Sequence, residues 1–457
     1  MMRPSSCHRT RSAALLAILL LTSAASLVAC GGGSATGAGG SSSSSSTAAT
    51  GTGGATPQAR VILRDHAGRP ATGIDVLVHD PAGSTTQQTK TDKTGAADVD
   101  LVPGGGITAL FLARQDIGDP EYDAISVMGL AAGTEVRLVA DVASPADVSA
   151  SMPLSFASVA PLQSTSWDIV LSCLQESNTA EQILTYEACR GSSTYDIVAF
   201  LAPGDQRIVF PAQAVKPGMS VAYQLDPAKA EAAPAVGVDI TGVPAGTTKL
   251  TALLSANRPE GGKTRYLASK AVAGAPDAAL QMARLIVSPG GSFDVDLGAE
   301  TDAGGVHTRL YFSDKDLPTS SIPWHVPTVS PVVKMDTLTA SPSRPVLSWE
   351  LDASAIPGDA VRIQLQYAAP DDPSTGGGPL HSTRWTLYIG STLAGTATFP
   401  ELPQAFAAFT PDGPMLAVLA DQLDIPGKNS LIAVVNADFD RVPVSWAGAV
   451  FSSPGSP

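Results

Sequence analysis

Apolar and polar positions alternate over short runs along most of the chain. In "DAVRIQLQY", Val361, Ile363, Leu365 and Tyr367 are separated by polar neighbours, the period-two signature of a half-buried strand. "ARVILRD", "IDVLVHD", "AADVDLV" and "ITALFLA" are short β-branched runs divided by "HAGRPATG", "KTDKTG" and "PGGG", dividers rich in the residues that turns use for stereochemical reasons. "RPVLSWELDAS", "STRWTLYIG" and "NSLIAVVNADFD" extend the strand series toward the end of the chain. Helical periodicity is confined to "NTAEQILTYEA", with Asn178 as a cap, and "PDAALQMARLIV", opened by Pro276-Asp277. An α/β fold needs helices of about 10–15 residues repeated between its strands, and the pattern lacks them. It predicts an all-β chain of tandem β-sandwich domains.

Two internal echoes refine this. Trp167-Asp168-Ile169-Val170 is matched by Tyr195-Asp196-Ile197-Val198, which reads as two strands of one sandwich with the aromatic residue and the Ile on one face. Nothing in the sequence brings Asp168 and Asp196 together or separates their acidities, so they are not read as a catalytic pair. "VDLVPGGGITALFLA" at 99–113 is echoed by "VDITGVPAGTTKLTALLSA" at 238–256, which points to a second sandwich of related style.

Ahead of this body the pattern changes. Residues 1–29 carry Arg3, Arg9 and Arg11, no acid, and then the apolar run "AALLAILLLTSAASLVA". That is the layout of a secretory signal. A membrane span would want about 20 apolar residues, and Thr22, Ser23 and Ser26 break this run. Residues 31–57, "GGGSATGAGGSSSSSSTAATGTGGATP", are uncharged and hold too little apolar surface to offset the entropy of ordering. They read as a flexible tether with a reach of about 25–30 Å.

Leu27-Val28-Ala29-Cys30 resembles the lipobox of bacterial lipoproteins, and the resemblance implies that Cys30 is diacylglycerated and becomes the first residue after cleavage. One acyl chain anchors a protein only marginally, and a triacylated cysteine would supply three. Gly31, where an aspartate would mark inner-membrane retention in enteric bacteria, leans the expectation toward the outer membrane or cell surface. Residues 58–141 resemble carboxypeptidase regulatory-like and transthyretin-like modules, through the Asp92-x-x-Gly95 turn and the strand that ends at Pro103-Gly104. Such modules are typically non-catalytic spacers or binding domains. By residue chemistry alone, Asp92 is a turn former and Gly95 permits a positive φ. Trp349 on an early strand of the last segment is similar to the core tryptophan of immunoglobulin-like and fibronectin type III domains. The organisation expected is signal 1–29, lipidated cysteine and linker 30–57, and β-domains at 58–141, 142–234, 235–333 and 334–457.

Composition narrows the function. The 457 residues hold 28 basic against 42 acidic side chains, a net charge of −14, and the signal removes only basic ones. A chain this acidic is not expected to hold nucleic acid through a basic patch. Cys173 and Cys189 are the two cysteines left in the body, with 15 residues between them; in an exported protein they are expected to pair, a closure of roughly 3 kcal/mol. No histidine falls between them to make a metal pair.

His66, His79, His307, His325 and His381 show neither H-x-H nor H-E-x-x-H spacing, and no nucleophile elbow, S-x-x-K pair or Walker loop occurs. The acidic stretches "FDVDLGAETD" (Asp294, Asp296, Asp302) and "NADFD" (Asn436, Asp438, Asp440) read as exposed turns that complete no calcium loop. Trp324-His325, between prolines in "SSIPWHVPT", reads as a linker element tucked against a neighbour, or else as an exposed stacking platform for a sugar.

No cofactor or metal is called for. The expectation is a non-catalytic envelope lipoprotein that contacts the membrane through its anchor and a polysaccharide or protein through its sandwiches. The alternatives are a glycan-active enzyme with dispersed carboxylates and a periplasm-facing accessory lipoprotein of a transport or assembly system.

Overall fold

Twelve strands hydrogen-bond into one continuous sheet. From edge to edge its order is Lys263–Ala271, Lys249–Asn257, Ser292–Thr301, Gly304–Ser313, Val444–Phe451, Met415–Asp424, Ala360–Ala368, Ser382–Gly390, Glu121–Met128, Gly106–Arg114, Asp75–His79 and Thr85–Lys90. The fold is that of a computed structural model that describes residues 58–451, except for 66–67, 115–120, 141–150, 160–166, 172–174, 177–180, 188–193, 202–205, 215–219, 233–234, 258–262, 272–276, 284–291, 302–303, 314, 319, 340–343, 369–381 and 411–414. All described residues belong to one unit, Ser45–Pro457. The signal segment, Cys30, the linker, Cys173 and Cys189 lie outside the described residues, as do His66 and His381.

The chain is all-β, as the alternation predicts. Three sequence segments repeat one arrangement. The first strand of each, Gln58–Arg64, Ser151–Ser158 or Ala235–Thr241, is the centre of a three-stranded sheet. On one side it has an antiparallel strand, and on the other it pairs in parallel with Glu135–Val139, Val221–Leu225 or Ser321–His325. The last segment differs: Val346–Leu351 is central and antiparallel to both of its neighbours. Between the first and third of these segments a five-stranded sheet is built from residues 167–232. In it, Trp167–Leu171 lies antiparallel to Thr194–Leu201, with Trp167, Ile169, Ile197 and Ala199 in one core. The echoing motifs are therefore adjacent strands. Asp168 stands opposite Phe200 in the register, and Asp196 lies elsewhere along the strand.

The second echo has a structural meaning too. Ala96–Asp100 and Ala235–Thr241 lie in three-stranded sheets, and the strands that follow their turns, Gly106–Arg114 and Lys249–Asn257, join the twelve-stranded sheet. Both motifs carry the chain from one layer to the other. Alternate residues then serve two cores. Val76 and Val78 pack with Val61, Leu63 and Val99, whereas Leu77 between them packs with Trp349, Trp385 and Phe399. Strands buried on both faces read as continuous apolar runs, which is the character of "VLV" and "ALFLA". Trp349 is in the core, 4% exposed.

Three sequence expectations are corrected. "EQILTYE" and "DAALQMA" are strands, Glu181–Glu187 and Asp277–Ala283, paired along their lengths with Ser151–Ser158 and Ala235–Thr241. Ala, Leu, Gln and Met favour helix, but a segment this short gains little from helix formation, and ladder bonds with a neighbour prevail. Conversely, "LIAVVNADFD" is the helix Leu431–Asp440. Its β-branched residues are buried on two sides, Val435 against the first segment and Val434 with Ala437 against Leu423, Ile425 and Trp446. The Ser430 hydroxyl caps it by accepting from Ala433 N at 3.3 Å, and the Asp359 carboxylate fixes its start by accepting from Ser430 N at 2.8 Å. Finally, "FDVDLGAET" is a central strand, Ser292–Thr301, rather than an acidic turn. Among the described residues no helix is long and apolar enough to cross a membrane.

Candidate functional site

The candidate site grows out of period-two placement of polar residues. In Gly304–Ser313 the residues Val306, Leu310 and Phe312 join a core, so His307, Arg309 and Tyr311 share the opposite face. Arg309 stands opposite Asp296 in the register, His307 opposite Trp446, Asp421 opposite Arg362 and Arg362 opposite Tyr388. A strip of acid, arginine and aromatic side chains therefore crosses six adjacent strands of the sheet, beside the helix Leu431–Asp440.

Its contacts are dense. Arg309 Nε donates to Asp296 Oδ1 at 2.6 Å, and Nη1 reaches Asp438 Oδ1 at 3.4 Å. The Tyr311 hydroxyl donates to the same Asp438 oxygen. Arg362 Nε donates to Asp421 Oδ2 at 2.7 Å. Both guanidinium groups come within reach of the Trp446 ring, Arg309 at 5.7 Å and Arg362 at 6.0 Å, and His307 stacks on the indole with centroids 5.5 Å apart.

Two glycines make the room. A Cβ on Gly448 would lie 1.8 Å from Asp421 Oδ1, and one on Gly298 would lie 2.7 Å from His307 Nδ1.

The electrostatics follow from burial and pairing. Burial opposes the Arg309 charge, but the Asp296 and Asp438 carboxylates outweigh it and raise the pKa well above the usual arginine value. Arg362 is raised in the same way by Asp421 and the Tyr388 oxygen. Burial also opposes ionisation of Asp438, yet Arg309 and the Tyr311 hydrogen bond hold its carboxyl below the usual range. Tyr311 is pushed up by burial and by Asp438, and burial lowers His307, keeping its imidazole neutral. At neutral pH the strip is thus a set of fixed charges in matched pairs.

At the end of the strip a cleft of about 300 Å³ opens where three sequence segments meet. Arg64, Asp65 and Val139 come from the first, Asp294, Arg309 and Tyr311 from the third, and Asp438, Phe439 and Arg441 from the last. The Arg64 guanidinium sits 4.7 Å from the Phe439 ring centroid. Asp65 is paired with Arg69 Nε at 2.6 Å. Arg441 ends the helix at φ +55°, the sole non-glycine residue with positive φ among those described.

The residues singled out from sequence fall in different places. Asp294, Asp296 and Asp438 enter the strip or the cleft. Asn436 and Asp440 dock the helix: Asn436 Oδ1 accepts from Arg137 N at 2.8 Å, and Asp440 pairs with Arg137 at 2.7 Å. Among the described residues no group of three or more side chains has the make-up of a metal site. Trp324 lies in the strand Ser321–His325 and is 4% exposed, its indole N–H donating to Thr308 Oγ1 at 3.1 Å, so it is core and offers no stacking platform. Asp92 is the turn former expected, accepting from Thr94 N at 2.8 Å and Ala96 N at 3.0 Å, with Gly95 at φ +77°. His79 is fully buried. Arg309, Tyr311, Arg362 and Trp446 were not singled out by sequence; the polar residues at every second position of "VHTRLYF" mark the first two, and Arg362 and Trp446 join them only through strand pairing.

No family model matches the chain, and no curated protein resembles it. Among solved structures, the Bacillus anthracis TIE protein is 12% identical, with a TM-score of 0.17 over 59% of this chain and 50% of that one. The native conformation of Escherichia coli α2-macroglobulin is 10% identical, with a TM-score of 0.13 over 85% of this chain and 27% of that one. A tetra-tandem repeat from the extending region of a large adhesion protein is 11% identical, with a TM-score of 0.13 over 86% of this chain and 99% of that one. The chain thus spans half the length of the Bacillus protein and about a quarter of the E. coli one. At scores this low neither fold detail nor function transfers.

Proposed function

We propose that this chain is a lipid-anchored cell-envelope protein whose folded body is a non-catalytic binding, adhesion or spacer element. Leu27-Val28-Ala29-Cys30 at the end of an apolar run supports the anchor, and the uncharged tract that follows supports a tether. The carboxypeptidase regulatory-like character of residues 58–141 and the immunoglobulin-like character of the last segment belong to the same proposal.

The observation that carries the role is the twelve-stranded sheet. Its two seams are backbone ladders, Gly305–Arg309 against Val444–Gly448 over five positions and Ser382–Tyr388 against Glu121–Val127 over seven. Modules joined by linkers move independently by default; modules joined by ladders move as one body. Such a body holds a binding surface at a set distance and orientation, which suits presentation or spacing. The fixed, paired charges of the strip support a non-catalytic reading, since general acid–base work asks for a group poised between protonation states.

Fractionation of cells carrying Cys30→Ser tests the anchor: the protein should leave the membrane fraction. Retention with an uncleaved signal would make the apolar run the anchor instead. Hydrolysis of a glycan by the wild-type chain, abolished by Asp438→Asn, would replace the binding role with an enzymatic one. Protease shaving of intact cells separates a surface location, where the body is cleaved, from a periplasmic one, where it survives.

A further inference from the structure

Four of the six large apolar side chains exposed among the described residues gather at one row of strand ends: Val102, Val333, Ile356 and Leu393, with Ile356 81% exposed. Strand register places them there. Ala360 stands opposite Gly390, Tyr388 opposite Val127 and Met128 opposite Gly106, so four adjacent strands of the large sheet end side by side. Three inter-strand spacings span about 15 Å. Ile356 is on the turn that enters Ala360–Ala368, Leu393 on the turn that leaves Ser382–Gly390, and Val102 on the turn that enters Gly106–Arg114. Leu351 N bonds to Leu393 O at 2.8 Å, and Val333 follows Val332, the register partner of Leu351.

The charge pattern of this row is an independent observation. Its four turns read "VPGG" at 102–105, "GLAAGT" at 129–134, "ASAIPG" at 353–358 and "GSTLAG" at 390–395, without one ionisable side chain. Of the flanking carboxylates, Asp359 is buried and accepts from Ile425 N and Ser430 N, Glu135 pairs with Arg137 at 2.6 Å, and Asp100 and Asp352 stand at the rim. By sequence, the segments joining the other ends of the same strands, 114–121 and 369–381, hold Arg114, Asp116, Asp119, Glu121, Asp371 and Asp372. The described chain also begins at the uncharged row. Gln58 stands opposite Asp100, Arg60 N bonds to Thr134 O at 3.0 Å, and Leu130 N bonds to Gly105 O at 2.9 Å. Residues 31–57, from Cys30 onward, therefore enter the body beside two of the four turns.

We propose that this row of turns docks on the lipid surface that holds Cys30, with Ile356, Leu393, Val333 and Val102 entering the bilayer interface. This deepens the envelope role given above and rests on its lipid anchor. An exposed apolar patch rimmed by polar residues marks an interaction surface, and the point where the chain enters selects the bilayer as its occupant. An anchor tied in beside the patch keeps lipid at a high effective concentration there, so a contact too weak to hold a free protein is populated. Such binding grows with the apolar area buried. With no basic side chain in the four turns, it owes nothing to anionic headgroups.

The full lipidated chain in phosphatidylcholine vesicles is the test, with acyl chains brominated to quench any indole that enters them. The five native tryptophans are all buried, so an added one reports its own position. Leu393→Trp should be quenched, whereas Lys93→Trp, on an exposed turn past the charged end of the sheet, should not. Ile356→Asp in the Leu393→Trp background should weaken docking roughly tenfold, the loss of one apolar side chain from the lipid. Its unfolding temperature should stay unchanged, because Ile356 is exposed. Adding phosphatidylglycerol should leave the quenching as it was. Equal quenching of the two tryptophan variants, no quenching of Leu393→Trp in protein that floats with the vesicles, or quenching that requires phosphatidylglycerol overturns the proposal. So does a concentration-dependent dimer in detergent that Ile356→Asp abolishes, which would make the patch a surface for a second copy. A chain that does not float overturns the anchor and this contact together, an outcome distinct from floating without quenching.

Discussion

The indole nitrogen of Trp385 donates to the Ser126 hydroxyl at 2.9 Å, across the parallel seam that joins the first and last segments. The bond is the first link of a hydrogen-bonded chain that runs to His79. Ser126 and Thr108 hydroxyls are 2.8 Å apart, and Thr108 is 2.8 Å from His79 Nε2. On the other side of the ring His79 Nδ1 lies 3.3 Å from Thr85 Oγ1, whose proton goes to Glu401 O at 2.8 Å. Thr85 has spent its proton on Glu401 O, so His79 donates to it from Nδ1. Burial keeps the imidazole neutral, so Nε2 accepts from Thr108, whose oxygen accepts in turn from Ser126. Ser126→Ala leaves the Trp385 N–H unpaired in a dry core and should cost about 1–3 kcal/mol, read by chemical denaturation. Adding Thr108→Val to Ser126→Ala should cost less than the two single losses summed.

The same chain sets a pH dependence. Burial lowers the His79 pKa to about 4, opposed by Asp80 and assisted by Arg344, the charged groups that face it. Its folded value lies below the unfolded value of about 6.5, so the unfolded state binds the proton first as pH falls. The stability from keeping His79 neutral is complete above about pH 6.5 and is lost progressively toward pH 4, with a span on the order of 3 kcal/mol. Denaturation midpoints measured at intervals across that range should fall more steeply for the wild type than for His79→Gln, which does not titrate. Parallel profiles would show that protonation of His79 is not coupled to folding.

Much of this was legible in sequence and some was not, for physical reasons. Alternation and short β-branched runs mark Gln58–Arg64, Asp75–His79, Ala96–Asp100, Gly106–Arg114, Val346–Leu351, Ala360–Ala368 and Ser382–Gly390, whereas Glu121–Met128, Gly304–Ser313 and Val444–Phe451 were not singled out. Alternation could not tell "LIAVV" from a strand, because the helix Leu431–Asp440 is buried on two sides and so carries no single apolar stripe. Nor could local pattern foresee that Gly304–Ser313 pairs with Val444–Phe451, a contact more than a hundred residues apart. The cleft is built from three such segments, and its aspartates were visible as acids while their arginine partners on distant strands were not.

Gly448 tests how tightly the strip is fitted. An added Cβ would lie 1.8 Å from Asp421 Oδ1, so Gly448→Ala must drive the carboxylate away from Arg362. Overpacking costs typically 1–3 kcal/mol, and breaking a buried pair costs about 3–5 kcal/mol. Because Arg362 is partly reached by solvent, the expected total is nearer 3 kcal/mol than the sum. A loss of less than about 1 kcal/mol in equilibrium unfolding would mean that the pair contributes little.

Asn436 closes an edge that would otherwise invite self-association. Among the described residues the strand Glu135–Val139 pairs only with Gln58–Arg64, and on its other side Asn436 Oδ1 accepts from Arg137 N at 2.8 Å while Nδ2 donates to Glu135 O at 3.2 Å. The side-chain amide thus imitates a neighbouring strand. Asn436→Leu keeps the bulk of the side chain and removes both bonds, leaving a backbone donor and acceptor unpaired beneath the helix. The loss should be about 1–3 kcal/mol, with faster hydrogen exchange at the Arg137 amide than elsewhere in that strand. An uncovered edge is also a template for pairing with a second chain, so sedimentation should show a concentration-dependent dimer for the variant and none for the wild type. Unchanged exchange at Arg137 would show that the helix protects this edge by its backbone and apolar packing, without the amide.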